Sequence, residues 1–335
     1  MASQFISQKV LAKKLRLSSS TVSLALAESP KIPLVTRMRI QTLARKMGYK
    51  TNRNAVLLVN RRWAKKSVSN RPNIAYMQSL IYEGFTDPYL PGLLRQADIL
   101  GYNLDILKSG QFASRDHLNK VLFSRGIQGV IVGQTAGHFR TYLPTLEKIA
   151  VVQCGLYLPV EIHTLVRSDL DAVVKLCFEK VRAQGFRRIG MILLQDPKAE
   201  SDQILESSTW NLKRLWPDNI ELFVEEWDFF DSHPESLKKW FYRHKCDAVV
   251  GITATVDDFL QKLGIKVPFA SMILEPLRPE VDGADLQGAI MGEMSINLLD
   301  SYLRQNLLGI SSVKKVFMVE PTWHEGTSLS RRRLV

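Results

Sequence analysis

Cysteine is scarce and badly placed for structural chemistry. Cys154, Cys177 and Cys246 lie far apart among 335 residues, odd in number and without metal-ligand spacing. A disulfide scaffold and a zinc ribbon are excluded, and a reducing cytoplasm fits best. Long apolar runs are missing too. The longest, Ala55 to Val59, has five residues, against the ~20 that a membrane helix needs. Met1-Ala2-Ser3-Gln4-Phe5 has no basic stretch leading into an apolar core, so neither a signal peptide nor a membrane partner is expected. The sequence also lacks a G-x-x-x-x-G-K-[ST] phosphate loop, a G-x-G-x-x-G dinucleotide turn and a G-x-S-x-G nucleophile elbow. Its histidines (117, 138, 163, 233, 244 and 324) form no close metal-binding pair; His244 and Cys246 stand two apart with no second pair following. No catalytic residue, metal or cofactor is expected, and an enzyme is disfavoured.

Acidic residues are nearly missing from one end. Residues 1–72 hold sixteen Lys or Arg and one acid, Glu28, a net charge of +15, whereas the remaining 263 residues carry −3. Self-repulsion disfavours such a segment unless a polyanion is its partner. The rest is ordinary globular composition, 45% hydrophobic and 23% charged. The length exceeds what one core usually holds, so two or three domains are expected.

The basic segment carries helical spacing, which separates it from a solvated tail. Ser7–Leu15 predicts a helix with Val10, Leu11 and Leu15 inward and Lys9, Lys13 and Lys14 outward. After a turn at Arg16-Leu17, Ser18 is placed to cap a second helix, Ser19 to Ala27. There Val22, Ala25 and Leu26 share one face, and Ser19, Ser20, Ser23 and Leu24 lie on or beside the other. Pro30 and Pro33 bracket a loop. A third helix, Val35 to Met47, aligns Ile40, Leu43, Ala44 and Met47, leaves Arg37, Arg39, Arg45 and Lys46 largely elsewhere, and stops at Gly48. Two short helices joined by a tight turn, with a third behind, describe a helix-turn-helix. Helical triplets also serve as protein-docking modules, but the small hydroxyl face favours close approach to DNA.

At Ser18-Ser19-Ser20-Thr21-Val22-Ser23 the sequence resembles the S-x-x-T-V-S signature of the LacI/GalR family of bacterial repressors. Thr36-Arg37, followed by Met47-Gly48-Tyr49, is similar to that family's third helix and its L-G-Y ending. Lys50 to Leu58 stands where the family has its hinge helix, R-P-N-x-x-A-R-S-L, with Asn52, Ala55 and Leu58 matching. Thr51 replaces Pro, and Val56-Leu57 replaces Arg-Ser. The resemblance implies DNA contacts from Ser7, Lys9, Ser18, Ser19, Ser20, Thr21, Ser23, Leu24, Arg37, Tyr49, Asn52, Arg53, Ala55 and Leu58. Ser19, Ser20 and Leu24 would face base edges. Leu58 from each subunit would wedge between base steps in the minor groove. Read without the family, Ala55–Val59 is an apolar strand or packed linker. A basic linker, residues 59–73, follows.

From Ile74 the pattern alternates strand and helix. Strand-like runs are Ile74–Gln78, Asn103–Leu107, Gly129–Gly133, Ala150–Cys154, Arg188–Leu194, Ala248–Ile252 and Phe269–Leu274, and Leu90, Leu93, Leu94, Ala97 and Leu100 fall at helical spacing. Such alternation predicts parallel sheets covered by helices. The family resemblance, carried here by Gly185 to Gly190, Leu263 to Pro268 and Glu325 to Ser328, spans nearly the whole chain. It implies an α/β core of two doubly wound, periplasmic-binding-protein-like subdomains, linked by three crossovers and preceded by the all-α helix-turn-helix domain. The expected divisions are 1–50 for the head, 51–73 for hinge and linker, and 74–335 for a sensor and dimerisation core. Within the core, one subdomain is expected at about 74–158 and 285–313, the other at about 159–284 and 314–335.

Ligands of open α/β sheets sit beyond the carboxyl ends of strands. Candidate effector residues are therefore Gln78, Ser79, Gln134, Asp169, Lys198, Thr253, Glu275 and Asp285, each of which has a cap, a turn or a solvated polar residue as its plainer reading. Sugar- and purine-responsive family members have an arginine about a dozen residues past the Ile-Gly strand. Lys198 and Ile204 stand in that neighbourhood here, which weighs against a familiar sugar or purine. The expectation is a cytoplasmic, homodimeric regulator of transcription, a repressor by resemblance. It would bind palindromic double-stranded DNA and a small-molecule effector, with a sugar as one candidate class. The alternative is a ligand-independent regulator whose core serves only dimerisation or protein interaction.

Overall fold

A computed structural model describes residues 8–26, 32–47, 71–78, 86–108, 111–133, 145–156, 162, 164–196, 199–226, 234–275 and 277–330. Two compact units divide the chain, Met1–Lys66 and Ser67–Val335.

In the first unit, α1 (Gln8–Leu15), α2 (Ser19–Leu26) and α3 (Leu34–Lys46) enclose a small core. Leu11, Ala12, Leu15, Val22, Ala25, Ile40 and Ala44 are buried, and Leu26, Leu43 and Met47 pack at its rim. The predicted faces of α2 and α3 are thus inward. Val10, expected inward, is exposed, and Ala12 takes the inward place. Each residue advances the helix by about 100°, so a stripe centred between Leu11 and Leu15 passes Val10 by.

The second unit holds two six-stranded sheets. The first contains β1 (Asn73–Gln78), β2 (Asn103–Lys108), β3 (Ile127–Val132), β4 (Ala150–Cys154), β5 (Thr164–Ser168) and β11 (Lys315–Val319). Their order is β11-β5-β4-β3-β1-β2, with every pairing parallel. The second contains β6 (Ile189–Gln195), β7 (Ile220–Glu226), β8 (Ala248–Gly251), β9 (Phe269–Ser271), β10 (Asp282–Asp285) and β12 (Thr322–His324). Its order is β12-β10-β9-β8-β6-β7, parallel except where β12 runs against β10. β3 and β4 are Val/Ile runs because both faces of a parallel sheet are covered. Ile131 and Val152 enter one apolar cluster; Val130, Val132 and Val151 enter another on the opposite face.

Helices α4 (Leu90–Leu100) and α5 (Arg115–Ser124) belong to the first lobe. The second takes α6 (Leu170–Ala183), α7 (Glu200–Leu215), α8 (Pro234–His244) and α9 (Thr255–Lys262). The long α10 (Gly288–Gln305) returns to the first lobe, where it packs on α4, β3, β4 and β5. In α4, Leu93 and Ala97 are buried as the spacing predicts, whereas Leu94 is exposed. Gly101 ends that helix in the left-handed conformation, φ 78°, and its N–H reaches back to Asp98 O. Among the described residues no helix is long and apolar enough to cross a membrane.

Two subdomain boundaries differ from the expected ones. β5 lies in the first sheet, not the second, pairing with β4 through Gln153↔Leu165 and Cys154↔Val166. β11 joins β5 along its whole length, from Lys315↔Thr164 to Val319↔Ser168. The chain therefore passes between sheets after Ser168, after Asp285 and after Val319. Strand pairing decides this, because the order of sheets is a long-range property that local spacing does not carry.

α4 and α10 meet almost backbone to backbone. A methyl group on Gly92 would overlap the carbonyl of Ala289, and one on Gly288 would meet Pro88 Cβ at 2.6 Å. Gly92→Ala should lower core stability by about 1–3 kcal/mol, since separating packed helices costs more than the helix propensity it gains. Thermal unfolding checks this: a Tm equal to or above wild type would mean that the two helices separate freely.

Candidate nucleic-acid interface

The turn between α1 and α2 is tight. Arg16 adopts φ 55°, its N–H reaches Lys13 O at 3.3 Å, and Leu17 N–H reaches Ala12 O at 3.0 Å. Leu17 then packs against the helical core. Ser18 caps α2 as its position predicts: its Oγ accepts from Thr21 N–H at 3.0 Å, satisfying one of the helix's unpaired donors. The same oxygen lies 2.8 Å from Ser20 Oγ and 2.7 Å from Thr21 Oγ1. At the other end, Gln41 of α3 donates to Ala25 O at 3.4 Å. The exposed side of this unit thus presents Ser18, Ser19 and Ser20, with Thr21 half-buried beside them. Lys13, Lys14, Arg16, Arg39 and Lys46 are exposed on the same unit, and Arg37 is half-buried.

The structure gathers Ser18, Ser19, Ser20 and Thr21 at the start of one helix. Lys9, Ser23 and Leu24 fall within helices, but their side chains lie outside what is described. Ser7, Tyr49, Asn52, Arg53, Ala55 and Leu58 lie outside the described residues.

In the core, every described candidate effector residue stands at or just past the carboxyl end of a strand. Gln78 closes β1 and donates to Asp87 Oδ2 at 3.0 Å. Asp87, buried and not singled out by sequence reasoning, also accepts from Tyr76 Oη at 2.6 Å, Tyr89 N–H at 2.9 Å and Leu90 N–H at 3.3 Å. Four donors hold this carboxylate at the start of α4, and the hydroxyl of Tyr76 is in turn held well above its ordinary value by burial and by Asp87. Asp169 caps α6, accepting from Ala172 N–H at 3.1 Å, and Asp285 accepts from Gln287 N–H at 2.8 Å. Both are committed to turning the chain. Thr253 and Glu275 lie past β8 and β9. The Thr253 hydroxyl is buried without a hydrogen-bond partner among the described residues. Near Glu275, Arg278 forms a two-pronged pair with Asp258, at 2.6 and 3.2 Å, that sequence reasoning also missed. Ser79, Gln134 and Lys198 lie outside the described residues.

All three cysteines are buried, and burial pushes the thiols of Cys154 and Cys177 up to about 12, so neither is a nucleophile at neutral pH. Among the described residues no group of three or more His, Cys, Asp or Glu is placed to hold a metal ion.

Solved structures match this fold along most of their length. No family model matches the chain, and no curated protein does. The transcriptional regulator CelR, in complex with cellobiose, is similar over 95% of this chain and 98% of its own, with 16% identity and a TM-score of 0.55. The Lac repressor dimer bound to operator and the anti-inducer ONPF matches over 97% and 99%, with 11% identity and a TM-score of 0.53. The trehalose repressor from Escherichia coli matches 76% of this chain and 100% of its own, with 16% identity and a TM-score of 0.56. Solved structures with this fold include others titled as LacI-family regulators. The chain shares their fold, and those named here are regulators rather than enzymes.

Burial holds the Glu275 carboxyl above its ordinary value; Arg278 pulls it down in part, and Asp258 adds to the rise. A carboxyl raised on folding binds its proton more tightly in the folded chain, so stability falls as pH rises through the carboxylate range. Glu275→Gln removes that cost, and its Tm relative to wild type should be more favourable at pH 7 than at pH 4. A difference independent of pH would show that the carboxyl is not desolvated.

Proposed function

We propose that this chain is a LacI-type transcription regulator. In this reading residues 1–50 form a helix-turn-helix head, residues 51–73 a hinge and linker, and the two-lobed core joins two copies on a palindromic operator. The observation that carries the reading is the placement of sixteen basic residues and one acid within residues 1–72, where three helices pack on a common core. Residues 8–26 and 32–47, which hold those helices, carry eight of the basic residues and no acid, and a folded unit so charged is built for a polyanion. Its second helix offers a hydroxyl-rich N-terminal turn of the kind that meets base edges in the major groove. Fold likeness to an operator-bound repressor over 97% of this chain supports the same reading.

The core acts as a sensor. Gln78, Thr253 and Glu275 sit at strand ends where open α/β folds hold ligands, and the complex of CelR with cellobiose makes sugars the first class to test. Effector binding would change the relation between lobes, move the two hinges and release the operator, which makes the protein a repressor. Ligand and DNA affinities are then coupled by about 1–3 kcal/mol in both directions.

Operator affinity of the full chain should fall by about 10³–10⁵ between 50 and 200 mM salt, as expected for roughly 6–10 neutralised phosphates. A chain beginning at Asn73 should lose it; operator binding by that shortened chain would overturn the assignment of the head. Leu58→Ala should reduce specific binding while non-specific binding survives, because a wedge is removed and phosphate contacts remain. Equal specificity ratios for variant and wild type, measured at one salt concentration, would place Leu58 outside the groove.

A further inference from the structure

Two side chains of the first lobe carry hydrogen-bond donors that the fold leaves unused. Gln153 of β4 is 1% exposed, and its Nε2 has no hydrogen-bond partner. Arg167 of β5 is half-buried, and its Nε is buried without one. No ion pair joins Arg167 to a described residue. Asp169, the acid nearest to it in sequence, is spent on capping α6 through Ala172 N–H. Strand pairing puts Gln153 and Arg167 on one face. Gln153 is in register with Leu165, and side chains alternate along β5, so Arg167 stands two residues further on the same side. Strands about 4.8 Å apart, rising about 3.3 Å per residue, set the two Cα atoms roughly 8 Å apart. This face also holds Val132, the register partner of Gln153 on β3, whereas Tyr76, which bonds Asp87, belongs to the opposite one. The flanks of Arg167 are open. Its register partner on β11 is Met318, 54% exposed. On the β4 side stands Gly155, at φ 121°, whose N–H donates to Val166 O and which has no side chain to cover the guanidinium.

We propose that Arg167 and Gln153 anchor an anion site, which takes the carboxylate or phosphate group of a small molecule. The proposal names the chemical class of the effector, and to that extent it rests on the sensor reading above. A guanidinium does not lose its proton, so burial leaves Arg167 charged. A charge withdrawn from water without a partner is costly. An oxyanion removes that cost, because its oxygens accept from the guanidinium fork and from the Gln153 amide together. A neutral sugar hydroxyl would serve the amide and leave the charge unpaired. Both residues stand at the carboxyl ends of parallel strands, where open α/β sheets hold their ligands.

The test is thermal unfolding of the full chain in sodium phosphate, sodium acetate and sodium chloride at equal ionic strength. Five of the six tryptophans lie beyond residue 72, so their fluorescence reports the core. In wild type, phosphate or acetate should raise Tm above its value in chloride. In Arg167→Met, which keeps bulk and drops the charge, that rise should be smaller by about 2 °C or more. Phosphate bound by the basic head, and the general strengthening of burial by phosphate, are common to both proteins, so the difference isolates Arg167. Gln153→Leu should reduce the rise as well. Arg167→Lys gives a second handle if Arg167→Met does not fold: an ammonium keeps the charge and loses the fork, so the rise should be smaller than in wild type. A larger effect of phosphate assigns a phosphorylated ligand, and a larger effect of acetate a carboxylic acid. No rise in either salt overturns the proposal, and so does an equal rise in wild type and the folded Arg167 variant. An Arg167-dependent rise, with operator affinity changed by the anion alike in wild type and variant, would overturn the sensor reading and leave the site standing.

Discussion

The two lobes of the core are tied by three neighbouring passages of the chain, and the hydrogen bonds across that seam constrain everything on either side. Where β5 leaves the first sheet, Asp169 N–H and Ser168 Oγ both donate to Val319 O, at 2.9 and 3.2 Å, which is the point where β11 also leaves. At the remaining passage Gln287, in the left-handed conformation at φ 60°, bonds Thr322 Oγ1 at 2.5 Å through its side chain and Asp285 through its N–H. Backbone groups forced out of two sheets at once have no ladder partner, and these contacts supply one. The seam thereby fixes the carboxyl ends of both sheets beside it. Asp169 and Asp285 are placed by this geometry.

Charge divides the molecule more sharply than fold does. Residues 73–335 together carry −3, and the two lobes are built on ordinary apolar packing, with Tyr76, Phe178 and Phe269 among the largest buried side chains. The head has a far smaller core and most of the protein's excess of positive charge. A module with so little apolar surface to bury tolerates such repulsion only weakly, so polyanion binding would stabilise it as well as localise it. Capping matters correspondingly more there. The Ser18 hydroxyl closes the first turn of α2 and at the same time ties down its two hydroxyl neighbours.

Helical faces were legible wherever one stripe met one core. Val22, Ala25, Ile40 and Ala44 are buried as their spacing predicts. The continuous Val/Ile runs of β3, β4 and β8 were equally plain. Strands β5, β7, β10, β11 and β12 were not singled out, because they lack that signal. β7 carries Glu221, Glu225 and Glu226, β10 contains Asp282, Gly283 and Asp285, and β11 is an edge strand with Met318 exposed. Asp87 escaped notice because a buried carboxylate looks like any loop aspartate until Tyr76, Gln78 and two backbone N–H groups converge on it.

The sequence by itself determined the division into a basic head and a near-neutral core, the cap at Ser18, and the alternation that demands parallel sheets. These follow from composition and from spacing over a few residues, where local physics suffices. Tertiary structure decided which sheet β5 and β11 join, which strand-end polar residues become caps, and which stay half-buried. It also decided the close passage of α4 over α10, where Gly92 leaves room for the Ala289 carbonyl. Each of those depends on residues distant in the chain meeting in space, and no local pattern encodes which partner will be met.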